Sequence, residues 1–424
     1  MTNKQWIKNY GELATSANRR TALDIVNSGL DAISTESVIS NSIRVEDGML
    51  HVKEEVFDLN KFMKIKVLGF GKASCDAAVA LEKILGSKIN EGVVIGLENK
   101  TCEFIDTYKG THPRPSPGNV EVGKKINDIA IASTEEDLVI VIVSGGGSAL
   151  LCYPLAECEQ GTKLYEASIK SGISISELNT VRKHISELKG GKLAKLLYPS
   201  TVISLIFSDV PGDNYADVAS GPTYKDVTSV LDAETIISKY NLGSFNLVET
   251  PKEDKYFEKV HNMALVSNKT AVDAMKKRSC DLGFTTKVLS YELYESQNEV
   301  IRSFTSEESQ NTTLLGAGEP TMKIDKPGGS GGRNLYLGMK AIGKFTKNSV
   351  FISLASDGLD NSNAAGAIID NVVLQKLQGS KLDLSDFVSR FDAYNFFEML
   401  GDGMIITGPT GANVSDIMLL ITKK

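Results

Sequence analysis

Charged residues recur in this chain at the lips of glycine-rich loops, each fed by an apolar run. Lys72 closes KIKVLGFGKAS (64–74) and a triple glycine closes LVIVIVSGGGSALL (138–151). Asp209 and Asp213 close TVISLIFSDVPGD (201–213), Asp357 and Asp360 close SVFISLASDGLD (349–360), and MIITGPTGANVSD (404–416) is the fifth such run. A strand that empties into glycines exposes backbone N–H groups, and a helix start behind it adds partial positive charge. Proteins hold phosphate in that way. The residue types together describe a cleft for a phosphorylated ligand and a cation.

Each loop also has a plainer use. GFGKAS carries Ser74 where a dinucleotide fingerprint has its third glycine, so that reading is weak. Lys72 stands at a helix start, where the macrodipole disfavours a cation. An anionic partner explains its presence there, and a solvated lysine is the alternative. The amides of Ser144, Gly145, Gly146, Gly147 and Ser148 are suited to wrapping a phosphate chain, or to making a tight turn; no Walker signature follows them. Asp209 and Asp213 are candidates to hold Mg²⁺, which prefers oxygen ligands, or to cap the turn. Arg333, leaving the loop KPGGSGGRN (326–334), is a candidate clamp for a carboxylate or a transferring phosphoryl group. A structural ion pair is its alternative. Asp357 is placed to orient an acceptor hydroxyl or take its proton. Turn capping competes, most strongly for Asp360.

The elements that must position these groups follow from the pattern of apolar residues. A helix is expected over 19–34, strands at 64–68, 92–98, 138–143 and 201–207, and helices through Leu85, over 120–132 and over 228–240. Continuous apolar strands alternating with helices indicate a parallel sheet covered on both faces. In NTVRKHISELKGGKLAKLL, helical spacing puts Val181, Ile185 and Leu188 on one face and Arg182, Ser186 and Lys189 on the other, leading into Gly190-Gly191. Residues 241–258 read as a linker. A second α/β series follows, from MALVSN to a last strand at 416–422. Two domains are expected, 1–245 and 246–424.

Composition narrows the function. The chain has 424 residues, too many for one core, and a formal charge of −7 without a basic block. Nucleic-acid and anionic-membrane binding are disfavoured. Five cysteines form no CxxC pair, which suits a reducing compartment. The polar N-terminus lacks a secretory apolar region, and glycines and Pro154 break the longest uncharged stretch. A cytoplasmic protein is expected. Of the histidines (51, 112, 184, 261), none pairs at metal-ligand spacing; His112 alone sits in a site-like loop, THPRPSPG. No G-x-S-x-G elbow supports a serine hydrolase.

The order of motifs resembles the glycerate 2-kinase family, whose C-terminal domain is of the MOFRL type. The resemblance runs through nearly the whole chain and rests on GFGKAS, THPRPSPG, SGGGSALL, NTVRKHISELKGGKLA, SDVPGDNYADVASGPT, GGRN, SDGLDNSNAAGA and TGPTGANVSD. It implies two α/β domains, the first Rossmann-like, with the active site in the cleft between them. It also implies ATP-dependent phosphorylation of D-glycerate at its 2-hydroxyl with a divalent cation such as Mg²⁺. The family's active-site lysine falls on Lys72 and its arginine on Arg333. The family loop usually reads close to SDGTDGPTDAAGA, whereas Asn361-Ser362-Asn363 stand here, and Ser116 replaces a common acidic residue. These departures bear on the acceptor more than on kinase chemistry.

In this scheme the 144–148 loop and Gly190-Gly191-Lys192 hold the nucleotide phosphates, and Asp209 or Asp213 helps bind Mg²⁺. Lys72 and Arg333 neutralise the phosphoryl group and the glycerate carboxylate, while Asp357 orients the hydroxyl. Domain closure is expected to exclude water. Two alternatives are an NAD(P)-dependent reductase of hydroxypyruvate and a non-catalytic sensor of sugar phosphates. A homodimer is compatible with the sequence but not readable from it.

Overall fold

The computed structural model of the chain describes residues 4–208, 214–324 and 328–423. Its strands in chain order are β1 (Ile43–Glu46), β2 (Met49–Val52), β3 (Glu55–Asp58), β4 (Lys64–Phe70), β5 (Ile89–Gly96), β6 (Asp106–Lys109), β7 (Asp137–Ser144), β8 (Thr201–Phe207) and β9 (Val260–Val266). They continue with β10 (Thr285–Leu293), β11 (Thr312–Gly318), β12 (Ser349–Ala355), β13 (Gly366–Ile369), β14 (Met404–Ile405) and β15 (Asp416–Thr422). The chain divides into two compact units, one of residues 35–265 and one that joins residues 1–34 to 266–424.

In the 35–265 unit a six-stranded sheet runs in the order β6-β5-β4-β7-β8-β9. The pairings β4/β5, β4/β7, β5/β6 and β7/β8 are parallel. Every residue of β7 is buried, as the unbroken apolar run DLVIVIVS requires of a strand covered on both faces. Leu68, Phe70, Val139, Val141 and Val143 pack there with Leu150, Leu193 and Leu197. β4 has β5 and β6 on one side and β7 to β9 on the other, so the order of strand addition reverses between β4 and β7. Open α/β sheets bind ligands at the carboxyl ends of strands at such a switch point. Phe70 lies opposite Val143, and Ser144 opposite Phe207, so the loops leaving β4, β7 and β8 emerge side by side.

The other unit also has a six-stranded sheet, β10-β11-β15-β12-β13-β14, but a mixed one. Only β10/β11 is parallel; β15 runs antiparallel to both β11 and β12. A strand from the end of the chain thus fills the middle of the sheet. The opening helix Ala17–Ala32 belongs here, packed on helix Asn268–Asp281. Its Arg19 is fully buried, with Nε 2.8 Å from Asp370 and Nη1 2.9 Å from Asp402. Gly29 lets the helices approach: a Cβ there would stand 2.7 Å from Met275 Cγ.

The sequence suggested one division at 245/246, yet the compact units part at 34/35 and 265/266. Two physical reasons account for the difference. The run MALV lies in β9, on the edge of the first sheet, and the apolar face of the opening helix is buried in the other unit. Periodicity identifies such elements without naming their neighbours. A second adjustment concerns the helix carrying Arg182. It spans Ile175–Ile185, and Ser186 ends it by accepting from the amides of Leu188 and Lys189 through Oγ at 3.1 Å each. Ser186 and Lys189 therefore do not continue the Arg182 face. Among the described residues no helix is long and apolar enough to cross a membrane.

Candidate active site

Two clusters of chemistry-bearing side chains stand out, one in each unit. In the 35–265 unit, Lys72 follows β4 at the switch point, two residues before helix Ser74–Leu85. Its amide donates to Gly145 O at 2.8 Å. Ser144 Oγ accepts from the Ala73 amide and bonds Ser74 Oγ, both at 3.1 Å, locking the two loops together. Gly71 has φ +126°, and a Cβ there would overlap Ser144. This glycine serves the packing of β4 on β7 and not the approach of a dinucleotide, for which Ser74 was already the wrong residue.

Gly146 has φ +79°, and a Cβ there would stand 3.0 Å from Lys72 Cγ and 3.1 Å from His112 Cδ2. Lys72 and His112 thus flank this glycine. Among the described residues none accepts a hydrogen bond from the amides of Gly146, Gly147 or Ser148. His112 is placed by Asn119, a buried residue whose Nδ2 donates to Thr111 O at 3.0 Å and Ala149 O at 2.9 Å. Burial and the nearby Lys72 and Arg182 lower the His112 pKa to about 4, so the ring is neutral at physiological pH.

No described carboxylate pairs with Lys72 or Arg182. Lys66, on the same strand as Lys72, shows the ordinary arrangement: it is buried, with Nζ 3.0 Å from Asp137. Arg182 Nη1 donates to Asn179 Oδ1 at 3.2 Å, and desolvation pulls the guanidinium down to about 10.

The Arg333 cluster is built differently. Because β15 is antiparallel to its neighbours, Asp416 at its start lies opposite Gly318 at the end of β11 and Ala355 at the end of β12. Glu319 and Asp357 follow those two strands. Arg333 opens helix Arg333–Ala341; its Nε donates to Asp416, and its Nη2 lies 3.1 Å from Glu319. Burial pushes the Asp416 carboxyl up to about 7 even against Arg333. Arg333, Asp357, Asn361 and Asp416 line a cavity of about 430 Å³.

The expected residues fare unequally. Lys72 and Gly146 to Ser148 come together in one unit, and Arg333 and Asp357 in the other. Asp357 stays half-buried, with Oδ1 accepting from the Leu359 amide at 3.0 Å. Asp360 is a helix cap: it accepts from the Asn334 and Leu335 amides at 3.1 and 2.7 Å. Ser144 is occupied with Ala73 and Ser74, its hydroxyl already satisfied.

Gly190, Gly191 and Lys192 do not present donors to a nucleotide. Their φ values of +61° and +81° explain the two glycines, whose amides donate to Ser220 O at 3.0 Å and Gly221 O at 2.8 Å. These bonds brace a turn in which Ala219 and Ser220 both adopt positive φ, of +52° and +60°. That conformation costs about 1–2 kcal/mol per non-glycine residue. Ala219 in turn abuts Gly147, where a Cβ would stand 2.6 Å from Ala219 Cβ. The glycine pair therefore supports the phosphate-type loop from behind. Lys192 Nζ donates to the carbonyls of Lys183, Ser186 and Val248 at 3.1, 2.5 and 3.2 Å.

Asp209 and Asp213 lie outside the described residues. Among the described residues no three His, Cys, Asp or Glu side chains form a metal-binding group. Asp416 and Glu319 are engaged with Arg333, and Asp360 with backbone amides.

Sequence reading did not single out Asn119, Glu319 and Asp416, which the structure brings to these two clusters, and named Arg182 only for its helix face. Glu319 and Asp416 each sit beside a recognised strand end, which was a usable signal. Asn119 gave none, since an asparagine in a proline-rich loop looks like any turn residue.

Known proteins place the whole chain. Residues 21–249 match the family described as "Domain of unknown function (DUF4147)", and residues 312–416 match the MOFRL family. A glycerate 2-kinase of Pyrococcus horikoshii is 32% identical over 95% of this chain and 97% of its own. An Agrobacterium vitis protein named as a hydroxypyruvate reductase is 33% identical over 84% of this chain and 98% of its own. A crystal structure of a glycerate kinase from Thermotoga maritima superposes with a TM-score of 0.84 at 28% identity, covering 95% of this chain and 99% of that one. From end to end, then, this chain belongs to the MOFRL-type glycerate kinase family.

Proposed function

We infer that this protein is a glycerate 2-kinase, which transfers the γ-phosphoryl group of ATP to the 2-hydroxyl of D-glycerate. The carrying observation is Lys72: it stands at the switch point beside three unused amides and, among the described residues, has no carboxylate partner. An unpaired cation at such a place is suited to the charge of a transferring phosphoryl group.

Phosphoryl transfer needs positioning and charge neutralisation more than covalent chemistry. The amides of Gly146, Gly147 and Ser148 hold phosphate oxygens, and Lys72 neutralises the γ-phosphoryl group. Arg333, held by Asp416 and Glu319, clamps the glycerate carboxylate. Asp357 orients the 2-hydroxyl. The hydroxyl oxygen forms its bond to the γ-phosphorus as the bridging bond to ADP breaks, and the hydroxyl proton leaves to Asp357 or water. Mg²⁺ is the expected companion of the triphosphate, with Asp209 and Asp213 as candidate ligands. A cytoplasmic location and a homodimer remain part of this proposal.

The test is ATP consumption with Mg²⁺ and D-glycerate, with the product identified by phosphorus NMR. 2-Phosphoglycerate is expected. 3-Phosphoglycerate, or turnover only with other hydroxy acids, overturns the assignment. The name carried by the Agrobacterium relative calls for a parallel assay of NADH oxidation by hydroxypyruvate. No oxidation is expected, because Gly71 and Ser74 are packed against Ser144.

A further inference from the structure

Arg182 is a basic residue of the 35–265 unit that the kinase scheme leaves without a task. It sits on helix Ile175–Ile185, half-buried, and no described carboxylate faces it. Its neighbours join it to the glycine loop. Asn179 Oδ1 accepts from Arg182 at 3.2 Å and from Ser220 Oγ at 3.1 Å, and Ser220 Oγ bonds Ser148 Oγ at 2.8 Å. Arg182 and Ser148 line one cavity with Pro113, Tyr165, Glu157 and Lys189. Glu157 does not compensate the guanidinium, because it is paired with Lys189, which also donates to Leu151 O at 2.6 Å.

We propose that Arg182 is a phosphate-binding residue, which with Lys72, His112 and the 146–148 amides forms one receptor for the phosphate tail of the nucleotide. The proposal rests on the kinase reading and deepens it. The count of donors selects the ligand. Three amides, an ammonium and the free N–H groups of a guanidinium exceed the roughly four lone-pair positions of one carboxylate, and the Ser148 hydroxyl, whose proton goes to Ser220, is not needed for that count. A chain of phosphates can accept from all of them, and a guanidinium matches two phosphate oxygens at once. Burial first, and then the charges of Lys72 and Arg182, lower the His112 pKa in the free protein. A bound polyanion offsets those charges. Neutral His112 donates one ring N–H to it, and gains affinity for a second proton.

The test uses the full-length protein and two readouts. In the first, ATP, ADP and adenosine are titrated calorimetrically into wild type, Arg182→Met and Arg182→Lys, with Mg²⁺ present. Arg182→Met is expected to weaken ATP and ADP by roughly 10- to 100-fold, the size of one lost hydrogen bond to a charged group. Adenosine is expected to bind unchanged, and Arg182→Lys to fall between. In the second, the four histidines are followed by proton NMR against pH, with His112→Asn fixing the assignment. Saturating ATP is expected to raise the His112 pKa by at least one unit in wild type. Arg182→Met should raise it in the free protein by removing a neighbouring cation.

Unchanged ATP affinity in both Arg182 variants overturns the proposal. So does equal loss of ATP and adenosine, which would make Arg182 a scaffold residue. Wild-type protein alone suffices for a further check: a His112 signal unmoved by ATP, or moved by D-glycerate and not by ATP, also overturns it. These results leave the kinase assignment standing. Failure of the wild type to bind ATP or ADP at all would instead defeat the kinase reading, and this proposal with it.

Discussion

Lys72 and Arg333 were singled out by similar signals, a cation beside glycines at a helix start, yet the protein treats them in opposite ways. Lys72 shares its surroundings with Arg182 and a neutral His112, and no described carboxylate answers either charge. Arg333 is gripped by Asp416 and Glu319 before any substrate arrives. An uncompensated cluster attracts a polyanion and gains when one binds, because each basic group is then relieved of the others. A guanidinium pinned between two carboxylates attracts anions less and aims better, since its fork has one orientation. Under the proposed function, phosphate binding is the task of Lys72 and acceptor binding that of Arg333. Two carboxylates around Arg333 also explain why burial does not strip its proton.

Removing either cation is the largest perturbation of this contrast. Lys72→Met and Arg333→Met are each expected to lower kcat/KM for glycerate by roughly 10²–10³-fold, the usual effect of deleting one group aimed at transition-state charge. The variants should differ in stability. Lys72→Met removes a cation that has no described carboxylate partner and should leave the melting temperature unchanged or higher. Arg333→Met leaves Asp416 buried without its partner, which costs about 3–5 kcal/mol for a fully buried pair and less here, since Arg333 is partly exposed. Equal melting temperatures would erase the distinction.

A smaller effect comes through Asp416. Its carboxyl, raised by burial, titrates near pH 7, and only the ionised form grips Arg333 strongly. Activity should rise as pH passes upward through about 7, with that inflection absent in Asp416→Asn, which should be about 10- to 100-fold slower above pH 8 through a misplaced arginine. Stability runs the other way. A carboxyl whose folded pKa is raised stabilises below the ordinary carboxylate range, and that contribution is lost as pH rises through about 7. Melting curves between pH 5 and 8 should show this slope in wild type and not in Asp416→Asn.

The smallest effect on chemistry is expected at Lys192. With Nζ on three backbone carbonyls, Lys192→Met should destabilise the protein by roughly 1–3 kcal/mol by leaving buried acceptors unmet. The KM for ATP should stay within about twofold, as expected for a side chain that braces the scaffold. A tenfold rise would return Lys192 to the nucleotide site.

Local chemistry was legible wherever it was written in consecutive residues. The unbroken apolar run of β7 and its glycines announced a buried strand opening into an amide-rich loop, and Lys72 beside a helix start suggested an anionic partner, with a solvated lysine as the alternative. Partners distant in sequence were not legible. Gly190 and Gly191 looked like phosphate binders, as glycine pairs often are, but their amides answer carbonyls some thirty residues on. For Asp360 the sequence left a catalytic role and turn capping open, and the side chain caps the helix that Arg333 opens.

By itself the sequence determined where strands and helices form, where the backbone must turn through positive φ, and which loops carry charge. Those properties depend on side-chain volume, hydrophobic period and local sterics, all acting within a few residues. Tertiary structure alone decided which charges are answered. That Arg19 would be closed by Asp370 and Asp402, that β15 would carry Asp416 to Arg333, and that Lys72 would come beside His112 at Gly146 are outcomes of sheet order and packing. The physical reason is range. A pair of charges interacts strongly only at a few ångströms in a dry environment, and which residues come that close is fixed by the whole fold.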